Sequence, residues 1–263
     1  MELKPIITVE GLSFSYPTKK VLDNISFSLN KGDVVSLLGP NGCGKSTLIR
    51  LMLRLIRGSG DIWLKGYPIE RYSHRDIASH IAYIPQYHNV PFNYSVHEMV
   101  VMGRVSKLGL FASPSRHDRD VAMQSLERVG MDHLSKRPFG QLSGGQKQLV
   151  LIARALSQEV DTFIMDEPVS GLDYGNQIRL LDLIRELGQQ GYTFLKTTHY
   201  PDHALLVSNR VIVMDGGRIL DDGLPHDVIT SDMVAHLYGI DADLVPHKEY
   251  LRCLPVFRKD VSR

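Results

Sequence analysis

Gly39-Pro40-Asn41-Gly42-Cys43-Gly44-Lys45-Ser46 has the spacing G-x-x-x-x-G-K-[ST], a pattern whose residue types can hold a chain of phosphates. Glycines let successive backbone N–H groups turn inward around phosphate oxygens, and the positive end of a following helix adds to the attraction. Lys45 is placed to reach β- and γ-phosphates, the Ser46 hydroxyl to ligate Mg2+, and Thr47 to add a phosphate contact. The chemistry implied is nucleoside triphosphate binding. A second group could act on that ligand: Phe163-Ile164-Met165-Asp166-Glu167 is an apolar run ending in two carboxylates. Asp166 suits a place in a Mg2+ shell, and Glu167 suits polarising an attacking water. Standing alone, Asp-Glu-Pro after a strand also reads as a solvated turn.

Leu142-Ser143-Gly144-Gly145-Gln146 opens a third candidate. Ser143 with Gln146 three residues on reads as a capping box, and Leu149, Ile152, Ala153 and Leu156 give the helix that follows one apolar face. A helix start with two glycines is also a second anion site. Asn30-Lys31-Gly32-Asp33 matches the N-K-x-D string of guanine recognition, but it precedes the phosphate loop where a guanine element should follow. It reads as the turn into the next strand.

The elements that must position these residues alternate. Ile7, Val9, Leu12, Phe14, Tyr16, then Ile25, Phe27 and Leu29 give strand-like spacing, and Val34 to Leu38 reads as a buried strand feeding the Gly-rich turn. A helix is expected from about Lys45 to Ile56, stopped by Gly58-Ser59-Gly60, with a short strand at Asp61 to Gly66. From about Val96 to Gln158 the pattern is mostly helical. Strands return at Thr162–Met165, Tyr192–Thr197 and Val211–Met214, with a helix over Gly175–Gly188 between the first two and a hairpin expected about Gly216-Gly217. Strands alternating with helices around an inserted helical block indicate an α/β core with a helical lobe.

The 263 residues suit one large domain or two closely joined lobes, and 43% hydrophobic with 22% charged residues is a soluble globular profile. A net charge of +1 leaves no general footprint for nucleic acid or an anionic membrane. Two cysteines, Cys43 and Cys253, cannot make a disulfide framework, which fits a reducing compartment. The start, Met1-Glu2-Leu3-Lys4-Pro5, lacks a charged segment leading into an apolar one, so no secretory signal is expected, and no apolar run is long enough to span a bilayer.

Taken with the phosphate loop, Leu142-Ser143-Gly144-Gly145-Gln146 resembles the signature of the ATP-binding cassette (ABC) ATPases, and the resemblance extends over about residues 6–240. It implies an α/β fold: a RecA-like P-loop NTPase core with an antiparallel β subdomain and an inserted α-helical subdomain. As one ABC ATPase domain over 1–263, the lobes would be 1–86 with 159–240 for the core, 87–158 for the helical signature subdomain, and 241–263 as a tail. The cofactors implied are ATP and Mg2+. Gly39 to Thr47 would bind phosphate. Asp166 and Glu167 become the Walker B pair, and Ser143, Gly144, Gly145 and Gln146 would contact the γ-phosphate of ATP on another subunit. The resemblance further makes Gln86, in Ala82-Tyr83-Ile84-Pro85-Gln86, a Mg2+ and water contact alongside Ser46 and Asp166. His199, ending Leu195-Lys196-Thr197-Thr198, becomes the switch histidine on the γ-phosphate, and Asp173, in Ser170-Gly171-Leu172-Asp173, links two ATP sites across a dimer. Tyr16 resembles the aromatic that stacks on adenine, although Leu12, Phe14 and Tyr16 also make a simple period-2 core face. Tyr200 departs from the family pattern, which more often has a small polar or acidic residue after the histidine.

One chain carries one set of motifs, so the resemblance implies a head-to-tail homodimer. It implies integral-membrane permease subunits as partners, a substrate-binding protein indirectly, no nucleic acid, and a peripheral place on the cytoplasmic face of the inner membrane. Asn89-Val90-Pro91-Phe92-Asn93-Tyr94-Ser95-Val96 then Val101-Met102-Gly103-Arg104, with Asp173-Tyr174-Gly175-Asn176-Gln177, Pro201-Asp202-His203-Ala204 and Leu237-Tyr238-Gly239, are similar to cassettes serving iron–siderophore, haem and cobalamin importers. Related molybdate cassettes share these features, and a split exporter or a non-transport cassette are the other readings. The crowded aromatics from Tyr87 to Tyr94 are expected either to pack the helical lobe or to form a groove for a short cytoplasmic helix of the permease.

Overall fold

The structure, a computed structural model, describes residues 5–86, 93–108, 112–247 and 250–256. In chain order it forms β1 (Ile7–Tyr16), β2 (Lys19–Leu29), β3 (Val34–Leu38), α1 (Lys45–Met52), β4 (Ser59–Leu64) and β5 (Tyr67–Pro68). There follow α2 (His74–Ala78), β6 (Ile81–Ile84), α3 (Val96–Val101), α4 (Arg116–Arg128), α5 (Gly144–Ser157) and β7 (Thr162–Met165). Then come α6 (Tyr174–Gln189), β8 (Thr193–Thr198), α7 (Pro201–Val207), β9 (Arg210–Asp215) and β10 (Arg218–Gly223). The chain closes with α8 (Pro225–Val228), α9 (Ser231–Tyr238), β11 (Ala242–His247) and β12 (Tyr250–Pro255). Two compact units result, one of Met1–Arg71 with Ile184–Arg263 and one of Tyr72–Leu183.

In the first unit, β2, β1, β4 and β5 form an antiparallel sheet. Ile7, Val9 and Leu12 of β1 are buried, and the alternation slips between Val9 and Leu12, where the pairing with β2 shifts register and Gly11 takes φ +60. That is a bulge, and glycine tolerates its left-handed backbone. The phosphate loop stands on a second sheet, in which β3 lies between parallel partners β8 and β9, with β10 antiparallel to β9. Every residue of β3 is buried, as its unbroken apolar run anticipates for a strand flanked by parallel neighbours. The expected hairpin joins β9 to β10, with Gly216 at φ +53 and Gly217 at φ +79, the pair of positive angles a two-residue turn needs. Helices α7, α8 and α9 bury Ala204, Leu205, Val228, Val234 and Leu237 with Leu38, Val211 and Val213 of the sheet.

In the second unit β6 and β7 pair in parallel, Ile81 opposite Thr162, while α3, α4 and α5 pack on one another. Each of these helices starts with a reciprocal capping box, Ser95 with Glu98, Ser115 with Asp118 and Ser143 with Gln146. Arg104, 4% exposed, binds them together. It donates to Asp118 Oδ1 at 3.0 Å, to the Ser157 carbonyl at 2.7 Å and to Glu159 Oε2 at 2.5 Å. A Cβ on the neighbouring Gly103 would meet the Arg154 carbonyl at 2.2 Å, so glycine is what lets this turn close on α5. The fold is a P-loop α/β core of RecA type with an antiparallel β subdomain and an inserted helical subdomain.

Candidate functional site

In the first unit the chain leaves β3 at Leu38, turns through Gly39 to Gly44 and enters α1 at Lys45. Gly39 N donates to the Thr198 carbonyl at 3.3 Å, which ties the loop to the end of β8 beside His199. Close packing fixes two of the glycines. A Cβ at Gly39 would lie 2.1 Å from the Met214 carbonyl, and one at Gly44, where φ is +111, would lie 2.6 Å from Leu22 Cδ2. Gly42, at φ +82, meets nothing within 4 Å, so the loop's outer curve is open. Lys45 Nζ donates to the carbonyls of Gly39 at 2.6 Å and Pro40 at 3.0 Å, which lays its ammonium across the loop at the helix start. Ser46 is half-buried and Thr47 is buried, while Asn41 and Gly42 are exposed. Burial pushes the Cys43 thiol above its ordinary range, so this residue packs as a small apolar group. A glycine loop with an open outer curve and a lysine ammonium at the start of a helix suits a triphosphate and its Mg2+.

Two further expected residues stand in this unit. Tyr16 ends β1 opposite Lys19 and is 41% exposed, with its ring edge-on to Phe14 at 4.9 Å. The period-2 face is therefore buried at Leu12 and open to solvent at Tyr16. His199 follows β8 directly and stands before α7, its ring 4.1 Å from that of Tyr200.

The second unit holds the acidic pair. All four residues of β7 are buried, and Asp166 after them is 5% exposed with its N–H bonded to the Ile84 carbonyl at 2.9 Å. Glu167 has φ +45, an uncommon left-handed backbone for a residue with a Cβ, and the Ser170 N–H bonds its carbonyl at 3.0 Å. Gln86 Nε2 donates to Glu167 Oε2 at 2.8 Å, so two residues far apart in sequence meet beyond the parallel ends of β6 and β7.

At the start of α5, Ser143 N donates to Gln146 Oε1 at 3.1 Å and Gln146 N to Ser143 Oγ at 3.3 Å. Ser143 and Gly144 are exposed while Gly145 is buried, its missing Cβ leaving 3.2 Å to Asn176 Nδ2. The same Asn176 donates through its backbone to Asp173 Oδ1 at 2.9 Å and through its side chain to Oδ2 at 2.7 Å. Those bonds hold the Asp173 carboxyl below its ordinary range and make it the cap of α6. The signature glycines and Asp173 thus share Asn176, which the sequence shows only as part of a resembling segment and not as a link between the two. The role of Arg104 as the anchor that fixes the far end of α5 is likewise seen only in three dimensions.

The family model described as ABC transporter matches residues 22–170. Over 236 residues the chain is 38% identical to the molybdate import ATP-binding protein MolC of Haemophilus influenzae, covering 89% of this chain and 88% of that protein. It is 35% identical over 241 residues to the iron(3+)-hydroxamate import ATP-binding protein FhuC of Bacillus subtilis, covering 91% and 90%. Among solved structures, a putative metal-chelate type ABC transporter in an inward-facing conformation has a TM-score of 0.83 at 36% identity, with 96% of this chain and 98% of that chain covered.

Proposed function

Since this chain belongs to the ABC transporter family, as one of its ATP-binding subunits, we propose that it hydrolyses ATP to drive uptake of a metal chelate through a separate membrane permease. The observation that carries the substrate class is the likeness, over nearly its whole length, to the metal-chelate type transporter, joined by the likeness to FhuC. Among the described residues no helix is long and apolar enough to cross a membrane, so the permease is a separate partner in this reading.

ATP supplies the phosphoanhydride whose cleavage releases the driving energy, and Mg2+ neutralises charge on its terminal phosphates. Gly39 to Thr47 would hold the phosphates, with Lys45 moving from the loop carbonyls to pair with phosphate charge. Ser46, Asp166 and Gln86 are oxygen donors suited to Mg2+, partly through water. Glu167 accepts the proton of the attacking water while Gln86 fixes its carboxylate. His199 meets the γ-phosphate and the Tyr16 ring stacks on adenine. The exposed Ser143 and Gly144 face outward to complete the ATP site of a second copy, with Asp173 linking the two sites in a head-to-tail homodimer. A substrate-binding protein delivers the chelate to the permease.

The docking segment at Tyr87 to Tyr94 lies outside the described residues except for Asn93 and Tyr94. Beside Tyr94 a cavity of about 310 Å3 is lined by Glu98, Val101, Met102, Val105 and Arg119, and we assign it to a short cytoplasmic helix of the permease.

Cellular uptake measured with and without this subunit tests the function. Loss of ferric siderophore, haem or cobalamin uptake, restored by the wild-type chain and not by Glu167→Gln, is expected. The 38% identity to MolC supports molybdate as the second reading, and loss of molybdate uptake alone would replace the first.

A further inference from the structure

Tyr200 is 44% exposed, so core packing does not account for an aromatic ring at that position. Its ring lies 4.1 Å from that of His199, tilted by 40°, and 4.7 Å from that of His203, tilted by 48°. The three rings therefore form one contiguous row of tilted contacts, with Tyr200 in the middle. Both outer supports are fixed to the fold. On the β8 side, Tyr200 N donates to Thr198 Oγ1 at 3.0 Å, which sets the turn that carries His199. On the α7 side, the carbonyl of His203 receives Nζ of Lys196 at 3.4 Å, and Lys196 is only 1% exposed. Asp202, next to His203, accepts the backbone N–H of Cys253 at 2.8 Å, so β12 also holds the first turn of α7.

We propose that Tyr200 is a positioning residue for His199: its ring, held against His203 on the anchored first turn of α7, confines the His199 imidazole to one orientation. The proposal rests on the reading of His199 as the group that meets the γ-phosphate. A histidine after a strand end can occupy several side-chain wells, and only one places a given ring nitrogen on a phosphate oxygen. A tilted aromatic neighbour favours one of them. The part proposed for Tyr200 is that of its ring, which makes both contacts, and not of its hydroxyl. Nucleotide binding belongs to the phosphate loop, so the effect falls on turnover and not on affinity.

Steady-state ATP hydrolysis by the full chain, across ATP concentrations, separates the possibilities with three variants. Tyr200→Ala is expected to lower kcat about 2- to 10-fold, the scale of one aromatic contact, with KM unchanged. Tyr200→Phe, which keeps the ring, is expected to restore wild-type kcat. NMR of histidine-labelled protein gives a readout independent of turnover: the His199 ring protons lose their ring-current shift in Tyr200→Ala and keep it in Tyr200→Phe. Wild-type kcat in Tyr200→Ala, or equal impairment in Ala and Phe, would overturn the proposal, as would His199 resonances that ignore the substitution. His199→Ala separates this failure from that of the underlying reading. If that variant hydrolyses ATP at the wild-type rate, His199 has no role for Tyr200 to support; if it is inactive while Tyr200→Ala is normal, only the positioning role is lost.

Discussion

Nε2 of Gln86 donates a 2.8 Å hydrogen bond to Oε2 of Glu167, the carboxylate assigned to water activation. Gln86 follows β6 and Glu167 follows β7, and the parallel pairing of Ile84 with Met165 sets their separation. The backbone of Glu167 is strained at φ +45, at a cost of about 1 kcal/mol or more, and a strained residue holding a directed side chain is common at catalytic positions. The pair therefore presents a carboxylate whose direction depends on a residue of another strand.

Glu167→Gln keeps the side-chain shape at this contact and removes the carboxylate proposed as the base. Hydrolysis should fall roughly 10²- to 10⁴-fold while ATP affinity is retained, and an ATP-bound dimer should accumulate. Turnover and size-exclusion with and without ATP check both halves. Rates near wild type would remove Glu167 from the role of base.

Lys45→Ala tests the proposed hold on the phosphates. The ammonium, bonded to the Gly39 and Pro40 carbonyls, is the positive charge that lies across the loop. Its removal should weaken ATP binding about tenfold or more, the scale of a charge-assisted contact, and abolish hydrolysis. Fluorescent ATP titration measures this directly, and unchanged affinity would count against the phosphate-loop assignment.

Tyr94 and Val105 border the cavity assigned to the permease, and Val105 is 59% exposed. Val105→Asp should therefore leave folding, ATP binding and the isolated subunit's hydrolysis intact, because no core contact is lost. It should uncouple hydrolysis from uptake once the permease is present. Normal uptake in cells carrying Val105→Asp would move the docking surface elsewhere.

What the sequence made legible is mostly what lies within a few consecutive residues. The phosphate loop, the Ser143–Gln146 capping box and the Gly216-Gly217 hairpin each announce their backbone conformation locally, and each is present. The first helix reads as far as Ile56 because its apolar spacing continues, yet α1 ends at Met52, where Leu53 caps it and Arg54 takes φ +57 without any glycine to signal the stop. The β11–β12 pair falls in a stretch that reads as a tail, since no glycine turn marks either strand. Contacts that close over long separations left no trace in composition. The Gln86–Glu167 bond, the Arg104 anchor on Glu159 and the burial of Lys196 depend on the fold bringing distant strands and helices together.

Arg104 tests one of those long-range features. It is buried with Asp118 and reaches the exposed Glu159, and both carboxyls are held below their ordinary ranges, Asp118 chiefly by the Ser115 hydroxyl and Glu159 chiefly by Lys107. Removing the guanidinium with Arg104→Ala takes its donors from the Ser157 carbonyl and from Asp118 Oδ1, while Asp118 Oδ2 keeps its bonds from Ser115. The helical unit should lose on the order of 2–4 kcal/mol. Arg104→Lys should recover only part of this, because a single ammonium cannot reach three acceptors in a planar fork. Denaturant unfolding of the two variants checks the ranking, and equal stability of Lys and wild type would show that charge alone, without geometry, is what the site requires.

Lys196 carries the pH dependence. It lies on β8 opposite Ser36 of β3, wholly buried, and Ser36 Oγ is 2.6 Å from Ser208 Oγ at the far end of α7. The ionisable group that faces it from α7 is His203, whose imidazole is pulled down to about 4, first by burial and then by Lys196 and His199. Among the described residues no carboxylate pairs with the ammonium, and burial alone pulls Lys196 from 10.5 down to about 7. A lysine whose folded pKa is depressed binds its proton less readily when folded, so protonation favours the unfolded chain. The destabilisation is full below about pH 7 and fades as pH rises toward 10.5, where the unfolded lysine also loses its proton. Lys196→Met keeps the length and removes the charge. Its unfolding free energy should exceed that of wild type by roughly 2–4 kcal/mol below pH 7, a gain that shrinks steadily through the alkaline range. Parallel denaturant titrations at pH 6, 8 and 10 measure the difference. A Met variant that is less stable than wild type at pH 6, or a gap that does not change with pH, would show that Lys196 is satisfied as an ammonium in the folded protein.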